Sequence, residues 1–384
     1  MTRLAIIADD LTGAADSAAH LAPLGDVRLL LSGETAWPEC DVIAVDTDTR
    51  AVGPEQAAQR VAAAVKRAAE AGIPVFKKFD STLRGNVGPE LHAAAAVLGM
   101  GERPALIVAS PAFPAVGRTM ADGVVLVDGV PLADGSGGSL PRRLVQDGIP
   151  SVTVAVAGEE LGAALVAAYH DGTAAVVVDA TTDHDLKTVL DASLTAQVPL
   201  LLAGSGGLAR HYDALLSSAP GADLGVLTGP ALVLVGSYSP VARSQAERLQ
   251  AAGMPAVVYD SADAEAQLAA AIDQGSGLLM PDPEAPVDPT RAREVASRLA
   301  DVALPVLDGI RTLVVTGGET ARALLTLAGI DQLLVRGELE PGIVWSKVPG
   351  RALSVVTKAG SFGDSGVLVR CIDAIMEMEK LDDA

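Results

Sequence analysis

Short apolar runs recur along this chain. Each is closed by a Gly/Asp/Ser turn and followed by an alanine-rich stretch. "RLAIIADDLTGAADSAAHLAPLG" is the first such unit, and "CDVIAVDTDTR" with "PEQAAQRVAAAVKRAAEAG" is the second. "IPVFKKFDSTLRGNVGPELHAAAAVLG", "PALIVASPAFPAVGRT", "AAVVVDATTDHDLKTVL" and "VPLLLAGSGGLARHYDALL" continue the series. Strand patterns alternating with helix patterns predict βαβ units and a parallel, doubly wound α/β sheet. Aromatics are 3% of a chain that is 49% hydrophobic, so the core must be built from Ala, Val, Leu and Ile. That suits strands buried on both faces under small-residue helices.

A length of 384 residues suggests two domains. The rhythm pauses at "SSAPGADLGVLTGP", Ser217–Pro230, which is the predicted linker, and restarts with "ALVLVGSYSPVARSQAERLQAAG". Domains are therefore placed at 1–220 and 228–384. Each is expected to be a mostly parallel sheet flanked by helices, with the active site in the cleft between them. Pro281–Pro289 is predicted as an exposed loop and Asp134–Ser139 as a flexible one, and no fixed-period repeat is present.

Net charge is −20, which argues against nucleic acid as the main partner. A local basic pocket for a small anion remains compatible with an acidic chain. Cys40 and Cys371 make no disulfide framework, and the five histidines show no HExxH spacing. "MTRLAIIADD" lacks a signal-peptide core. The uncharged stretch Leu224–Ala242 is broken by Pro230 and Pro240. A cytoplasmic protein without membrane contact is expected.

In open parallel sheets, ligands sit at the carboxyl ends of strands. In "ADDLTGAAD", Asp9 and Asp10 end an apolar run. They suit either capping, with Thr12 or Asp16 also available, or a carboxylate aimed at a substrate hydroxyl. In "DTDTR", alternation would send Asp46, Asp48 and Arg50 to one side if the strand continues. Asp46 suits a charge-paired strand end, whereas the Arg50 fork could grip a carboxylate. "KKFDSTLRGN" crowds Lys78, Asp80, Ser81, Thr82 and Arg84 into one turn that could also form an anion nest. "PAFPAVGRT" presents Arg118 and Thr119 on a proline-stiffened loop.

"GSGGLA", Gly204–Ala209, fits GxGxxA, with Asp223 at the spacing of a ribose-binding acid. It supports an alternative, a NAD(P)-dependent dehydrogenase of a small hydroxy acid. Three later strand ends are glycine- and hydroxyl-rich: "GSYS" with Ser237, "TGGET" with Thr316, Gly317, Gly318 and Glu319, and "AGSFGDSG" with Gly360 and Gly363. None is a P-loop, but together they suggest backbone cradles for phosphates. A polar-acid site in the first domain and a phosphate cradle in the second would suffice for phosphoryl transfer, which is mostly positioning and charge stabilisation.

"ADDLTGAAD", "KKFDSTLRGNVGPEL", "PAFPAVGRT", "GSYSPVARSQ" and "TGGETARALL", in this order, resemble the four-carbon acid sugar kinase family over nearly the whole chain. The resemblance implies a two-domain α/β enzyme, substrate domain first and nucleotide domain second. Such enzymes phosphorylate threonate, erythronate or 3-oxotetronate with ATP and Mg²⁺ to the 4-phosphate. It implies that Asp10, Arg50 and Lys78–Thr82 hold the sugar acid. Ser237, Thr316–Glu319 and Gly360 would hold ATP. Arg50, Lys78 and Arg84 are the expected ligands of the carboxylate or transferring phosphate. Asp10 or Asp80 would orient or deprotonate the terminal hydroxyl, with Asp364 of "GDSG" a rival base. Metal ligands are left unassigned. A non-catalytic sensor is the third class, and a homodimer is the assembly to test for.

Overall fold

A computed structural model describes residues 2–215, 227–237, 239–285 and 288–382. The described residues fall into two units, one ending before and one starting after the segment 216–226. Most of the predicted linker, with Asp223, therefore lies outside the described residues.

The first unit holds eight parallel strands: β1 (Leu4–Ala8), β2 (Val27–Leu30), β3 (Val42–Asp46), β4 (Val75–Lys78), β5 (Leu106–Ser110), β9 (Val152–Val156), β10 (Ala175–Asp179) and β11 (Leu200–Gly204). Their order is β2-β3-β1-β4-β11-β5-β10-β9. β1, β3 and β5 are buried along their whole length, as apolar runs covered on both faces must be. Helices α1 (Leu11–Ala19), α2 (Pro54–Glu70), α3 (Val87–Leu98), α4 (Leu140–Gln146), α5 (Leu161–His170), α6 (Asp183–Thr195) and α7 (Gly206–Ala209) complete the unit. α2 buries Ala57, Val61, Ala64, Val65 and Ala68, one stripe at helical spacing, and leaves its charges outside.

A small antiparallel sheet, β6 (Arg118–Ala121), β7 (Val124–Val127) and β8 (Val130–Pro131), interrupts the parallel pattern. Its two turns are Asp122-Gly123 and Asp128-Gly129, all four residues with φ between 50° and 79°. Such turns match the twist of the strands they join. The carboxylate of Asp179, at the end of β10, accepts the N–H groups of Asp122 and Gly123 at 2.7 and 2.8 Å and so fixes the hairpin.

The second unit has β12 (Ala231–Val235), β13 (Ala256–Val258), β14 (Ser276–Met280), β15 (Thr312–Thr316), β16 (Gln332–Glu340), β17 (Ile343–Lys347) and β18 (Ser354–Lys358). Their order is β13-β14-β12-β15-β18-β17-β16, with only β17 running against the others, antiparallel to both β18 and β16. Helices α8 (Pro240–Ala251), α9 (Ala264–Asp273), α10 (Ala292–Ala303), α11 (Gly318–Leu327) and α12 (Val367–Asp382) pack on it.

Both units share one topology at their centre. The first strand is followed by one that lies two places away. The third fills the gap, and the fourth joins the first on its other side. The connection thus reverses between β1 and β4, and again between β12 and β15. Crevices of that kind, at the carboxyl ends of the strands, are where open α/β sheets bind ligands. Among the described residues, no helix is long and apolar enough to cross a membrane.

Candidate active site

The reversal between β1 and β4 gathers the first unit's charges. Asp10 is the N-cap of α1: its Oδ1 accepts the Gly13 N–H at 2.9 Å and its Oδ2 the Thr12 hydroxyl at 2.8 Å. The Arg50 guanidinium then forks twice. Nε and Nη2 donate to Asp9 at 2.7 and 3.0 Å, and Nη1 and Nη2 donate to Asp10 at 2.7 and 2.8 Å. Asp80 stands 3.6 Å from Arg50 Nη2. Capping and ion pairing are therefore both realised by Asp10, and its four lone-pair positions are filled. The alternation expected through "DTDTR" ends at Asp46, where β3 stops. Asp48 turns to φ 49°, and Arg50 is held by its own N–H to the Asp9 carbonyl at 3.2 Å.

"KKFDSTLRGN" is divided by strand alternation. Lys77 points toward α3 and meets Glu90 at 2.7 Å, both side chains buried. Lys78 points toward α1, where a Cβ on Gly13 would lie 2.6 Å from its Nζ and 2.6 Å from Asp10 Oδ1. Lys78 is 4% exposed and forms no ion pair with a described residue, although its charge helps keep Asp9 ionised. Burial pushes the Asp9 carboxyl up, but Arg50 and Lys78 outweigh it and hold the group below its ordinary value. The same contest, with Arg50 and Arg84 prevailing over burial, leaves Asp80 well below the carboxylate range.

Asp80 is the hub of its loop. It accepts Arg84 Nε and Nη2 at 2.8 Å each, the Thr82 N–H at 3.2 Å, and the Thr82 hydroxyl. Ser81 meets Arg118 Nη1 from β6. Leu83 sits in the left-handed region at φ 60°, unusual for a residue of its bulk. Arg143 of α4 holds that bend by donating to the carbonyls of Leu83 and Gly85 at 3.2 and 2.7 Å. The structure thus brings Asp10, Arg50, Lys78, Asp80, Ser81, Thr82, Arg84 and Arg118 together at one sheet edge. Asp9, expected with Asp10 to cap or to face a substrate hydroxyl, is gripped by Arg50, and the Lys77–Glu90 pair is not among the expected site residues. Glu90 resembles any first-turn helix acid in sequence.

The glycines of "GSGGLA" are consumed by packing. A Cβ at Gly204 would lie 2.3 Å from the Ser110 carbonyl, and one at Gly207 2.5 Å from that of Ala112. The helix that begins with Gly206 and Gly207, α7, has four residues. Close backbone approach here serves β5 and its following loop, so the fingerprint needs no dinucleotide to explain it.

In the second unit the reversal point holds Gly236 and Ser237 after β12, and Thr316 at the end of β15 with Gly317 after it. Gly317, at φ 94°, donates to the Lys358 carbonyl at 2.9 Å and turns the chain into α11, whose first residues are Gly318 and Glu319. Thr316 Oγ1 is buried with no hydrogen-bond partner among the described residues. Glu319 turns to Arg293 of α10, 3.5 Å away. A Cβ on Gly360 would lie 1.9 Å from Ser237 Oγ, so the two loops touch.

The loop after β18 is clasped from below. Lys358 Nζ donates to the carbonyls of Ala359 and Phe362 at 2.8 and 3.0 Å. Gln245 Nε2 donates to those of Phe362, Gly363 and Asp364 at 2.8–3.2 Å. Burial pushes Lys358 down to about 8. Asp364 is exposed and paired with Arg370 at 3.0 Å. Beside Ser237 a largely apolar pocket is lined by Val235, Ala246, Met280 and Pro281, with Arg243 and Glu247 at its rim.

Residues 4–212 match the family model described as a sugar-binding N-terminal domain, and residues 232–368 match a nucleotide-binding C-terminal domain. A D-threonate kinase from Cupriavidus necator is 35% identical, covering 97% of this chain and 98% of its own. A 3-oxo-tetronate kinase from Methylobacterium radiotolerans is 31% identical, over 96% of this chain and 98% of the other. A D-erythronate kinase from Heliobacterium modesticaldum is 27% identical, over 98% of each. A crystal structure from Salmonella typhimurium LT2, 24% identical, shares the fold with a TM-score of 0.76 over 97% of this chain and 99% of that one. With both halves matched by its domains and full-length relatives at this identity, the chain belongs to the four-carbon acid sugar kinase family.

Proposed function

We propose that this chain transfers the γ-phosphoryl group of ATP to the terminal hydroxyl of a four-carbon sugar acid, giving the 4-phosphate. The observation that carries the reading is Lys78. Its ammonium is buried beside Asp9 and Asp10 at the β1/β4 reversal with no carboxylate of its own. A small anion with hydroxyls fits such a place: the ammonium takes negative charge, and the lone pairs that Asp9 keeps free of Arg50 accept a hydroxyl hydrogen. Ser81 and Arg118 add donors on the loop side, and the Thr82 oxygen, whose hydrogen goes to Asp80, adds an acceptor.

Asp10 and Asp80 act as orienting groups in this reading. Every lone-pair position of Asp10 is occupied, and Asp80 is held strongly ionised by its arginines. A dissociative phosphoryl transfer asks little of a base and much of positioning, so the arrangement suffices. Arg50, with four of its five N–H groups given to Asp9 and Asp10, sets the geometry of those acids in this reading.

The nucleotide is assigned to the second unit. Its phosphates would meet the backbone of Gly317 and Gly318, the orphaned Thr316 hydroxyl and the Ser237–Gly360 contact, with the α11 N-terminus favouring their charge. Gly363, at φ 77°, shapes the adjoining loop. Mg²⁺ is assigned to the triphosphate, whose oxygens and waters supply most of its ligands. Among the described residues, no three His, Cys, Asp or Glu side chains gather to hold a metal, and no protein ligand is assigned.

The test is ADP release across D- and L-threonate, D- and L-erythronate and their oxo forms. Turnover with at least one is expected. Binding of acid and nucleotide without ADP release would instead mark a sensor.

A further inference from the structure

We propose that the buried Lys77–Glu90 ion pair is a positioning clamp that closes the base of the acid-binding loop and sets where Lys78 and Asp80 stand. The inference rests on the kinase reading for its kinetic consequence but not for its structural one.

Lys77 is the penultimate residue of β4, and Glu90 lies in the first turn of α3. Everything between them is the loop that carries Asp80, Ser81, Thr82 and Arg84. Their 2.7 Å contact ties the loop's entrance to its exit. The same Lys77 ammonium donates to the Lys78 carbonyl at 2.7 Å. It therefore fixes the peptide that follows the Lys78 Cα, just before the Phe79 N–H bonds Gly204 at 3.0 Å. Two lysines adjacent in sequence thus divide the work. One holds the frame from the α3 side, and its neighbour faces the acids from the α1 side.

Stability alone does not account for the pair. Lys77 is 0% and Glu90 2% exposed at their side chains. Replacing a buried ion pair by apolar groups of similar size is often neutral or stabilising. The loop, by contrast, needs external restraint. Leu83 is held in the left-handed region, and Arg143 and Asn86 anchor only its middle and far end, Asn86 by donating to the carbonyls of Thr49 and Val52 at 2.8 and 2.9 Å. Without the clamp, the near end is left to strand pairing, the Ser81–Arg118 contact and the Arg50–Asp80 ion pair, none of which ties the loop's entrance to its exit.

The variants are Lys77→Met/Glu90→Leu, which removes both charges, and Glu90→Asp, which keeps them but shortens the reach by one methylene. Three quantities are read: melting temperature, amide hydrogen exchange over residues 79–86, and the separate KM values for sugar acid and ATP. The double variant should fold, exchange faster in that segment, and lose about 10–100-fold in kcat/KM for the acid, with the ATP KM within about two-fold of wild type. Glu90→Asp should fall between. Unchanged exchange and acid kinetics would overturn the proposal. So would equal losses for acid and ATP, or failure of both variants to fold, since each would make the pair a stability element only. If the wild-type chain turned over no four-carbon acid, the kinase reading would fail, and amide exchange would still decide the clamp.

Discussion

Gly13→Ala places one methyl group between the two halves of the acid site. Gly13 is buried inside α1, and a Cβ there would sit 2.6 Å from both Asp10 Oδ1 and Lys78 Nζ. Ordinary contact needs about 3.5 Å, so the ammonium and the carboxylate must each retreat by about 1 Å. The helix itself benefits, because alanine is favoured over glycine by about 1 kcal/mol in a helix interior. Loosening the Asp10 cap costs about 1 kcal/mol in return. The terms nearly cancel, so melting should move by only a few degrees. Catalysis has no such compensation: a displacement near 1 Å at a reacting site costs about 100-fold. Steady-state kcat/KM for the sugar acid, set beside a thermal melt, separates the two. A Gly13→Ala protein that melts normally and turns over like wild type would refute the claim that Lys78 and Asp10 are positioned against each other for chemistry.

Gly360→Ala should act on the nucleotide side. Its Cβ would lie 1.9 Å from Ser237 Oγ and 2.6 Å from Ser237 Cβ, so rotating the serine gives no relief. A cost of about 1–3 kcal/mol and a raised ATP KM with little change in the acid KM are expected. Asp80→Asn should lower stability at neutral pH by roughly 2 kcal/mol, below the about 3–5 kcal/mol of a fully enclosed pair, because Arg84 is exposed. Since folding depresses the Asp80 carboxyl, its contribution is complete above the unfolded value of 3.8 and fades as pH falls toward the folded one, so the variant should show a shallower loss of stability in acid. Lys358, pushed from 10.5 to about 8, releases its proton in the folded chain first. Stability should therefore rise with pH across that window in wild type relative to Lys358→Met, as urea titrations would show.

The parallel fold is legible because its strands are unmixed. "LAIIA" and "ALVLV" contain nothing that could face water, and both became fully buried strands. The strand-end rule then pointed to the loops that stand at the reversals between β1 and β4 and between β12 and β15. What it could not supply is pairing at a distance. That Arg50 forks onto Asp9 and Asp10, forty residues earlier, depends on β1 and β3 being neighbours in register, Ala8 beside Asp46. Nor does "KK" say which lysine faces which helix; only alternation about a known register separates Lys77 from Lys78. The hairpin bearing Arg118 was more accessible. Two Asp-Gly pairs in "ADGVVLVDGV" are a strong turn signal, with strand-length apolar runs around them. The glycines of "GSGGLA" mislead because close packing and phosphate approach ask the same thing of a backbone, and only the neighbours tell them apart.

Phosphorus NMR of the chain incubated with ATP, Mg²⁺ and a four-carbon sugar acid it turns over tests the central claim most directly. Transfer to the terminal hydroxyl predicts ADP and a new phosphomonoester resonance split by two equivalent-type protons, those of a CH₂–O–P group. A resonance split by a single proton would place the phosphate on an internal carbon, and release of inorganic phosphate with no ester would contradict sugar-acid phosphorylation altogether.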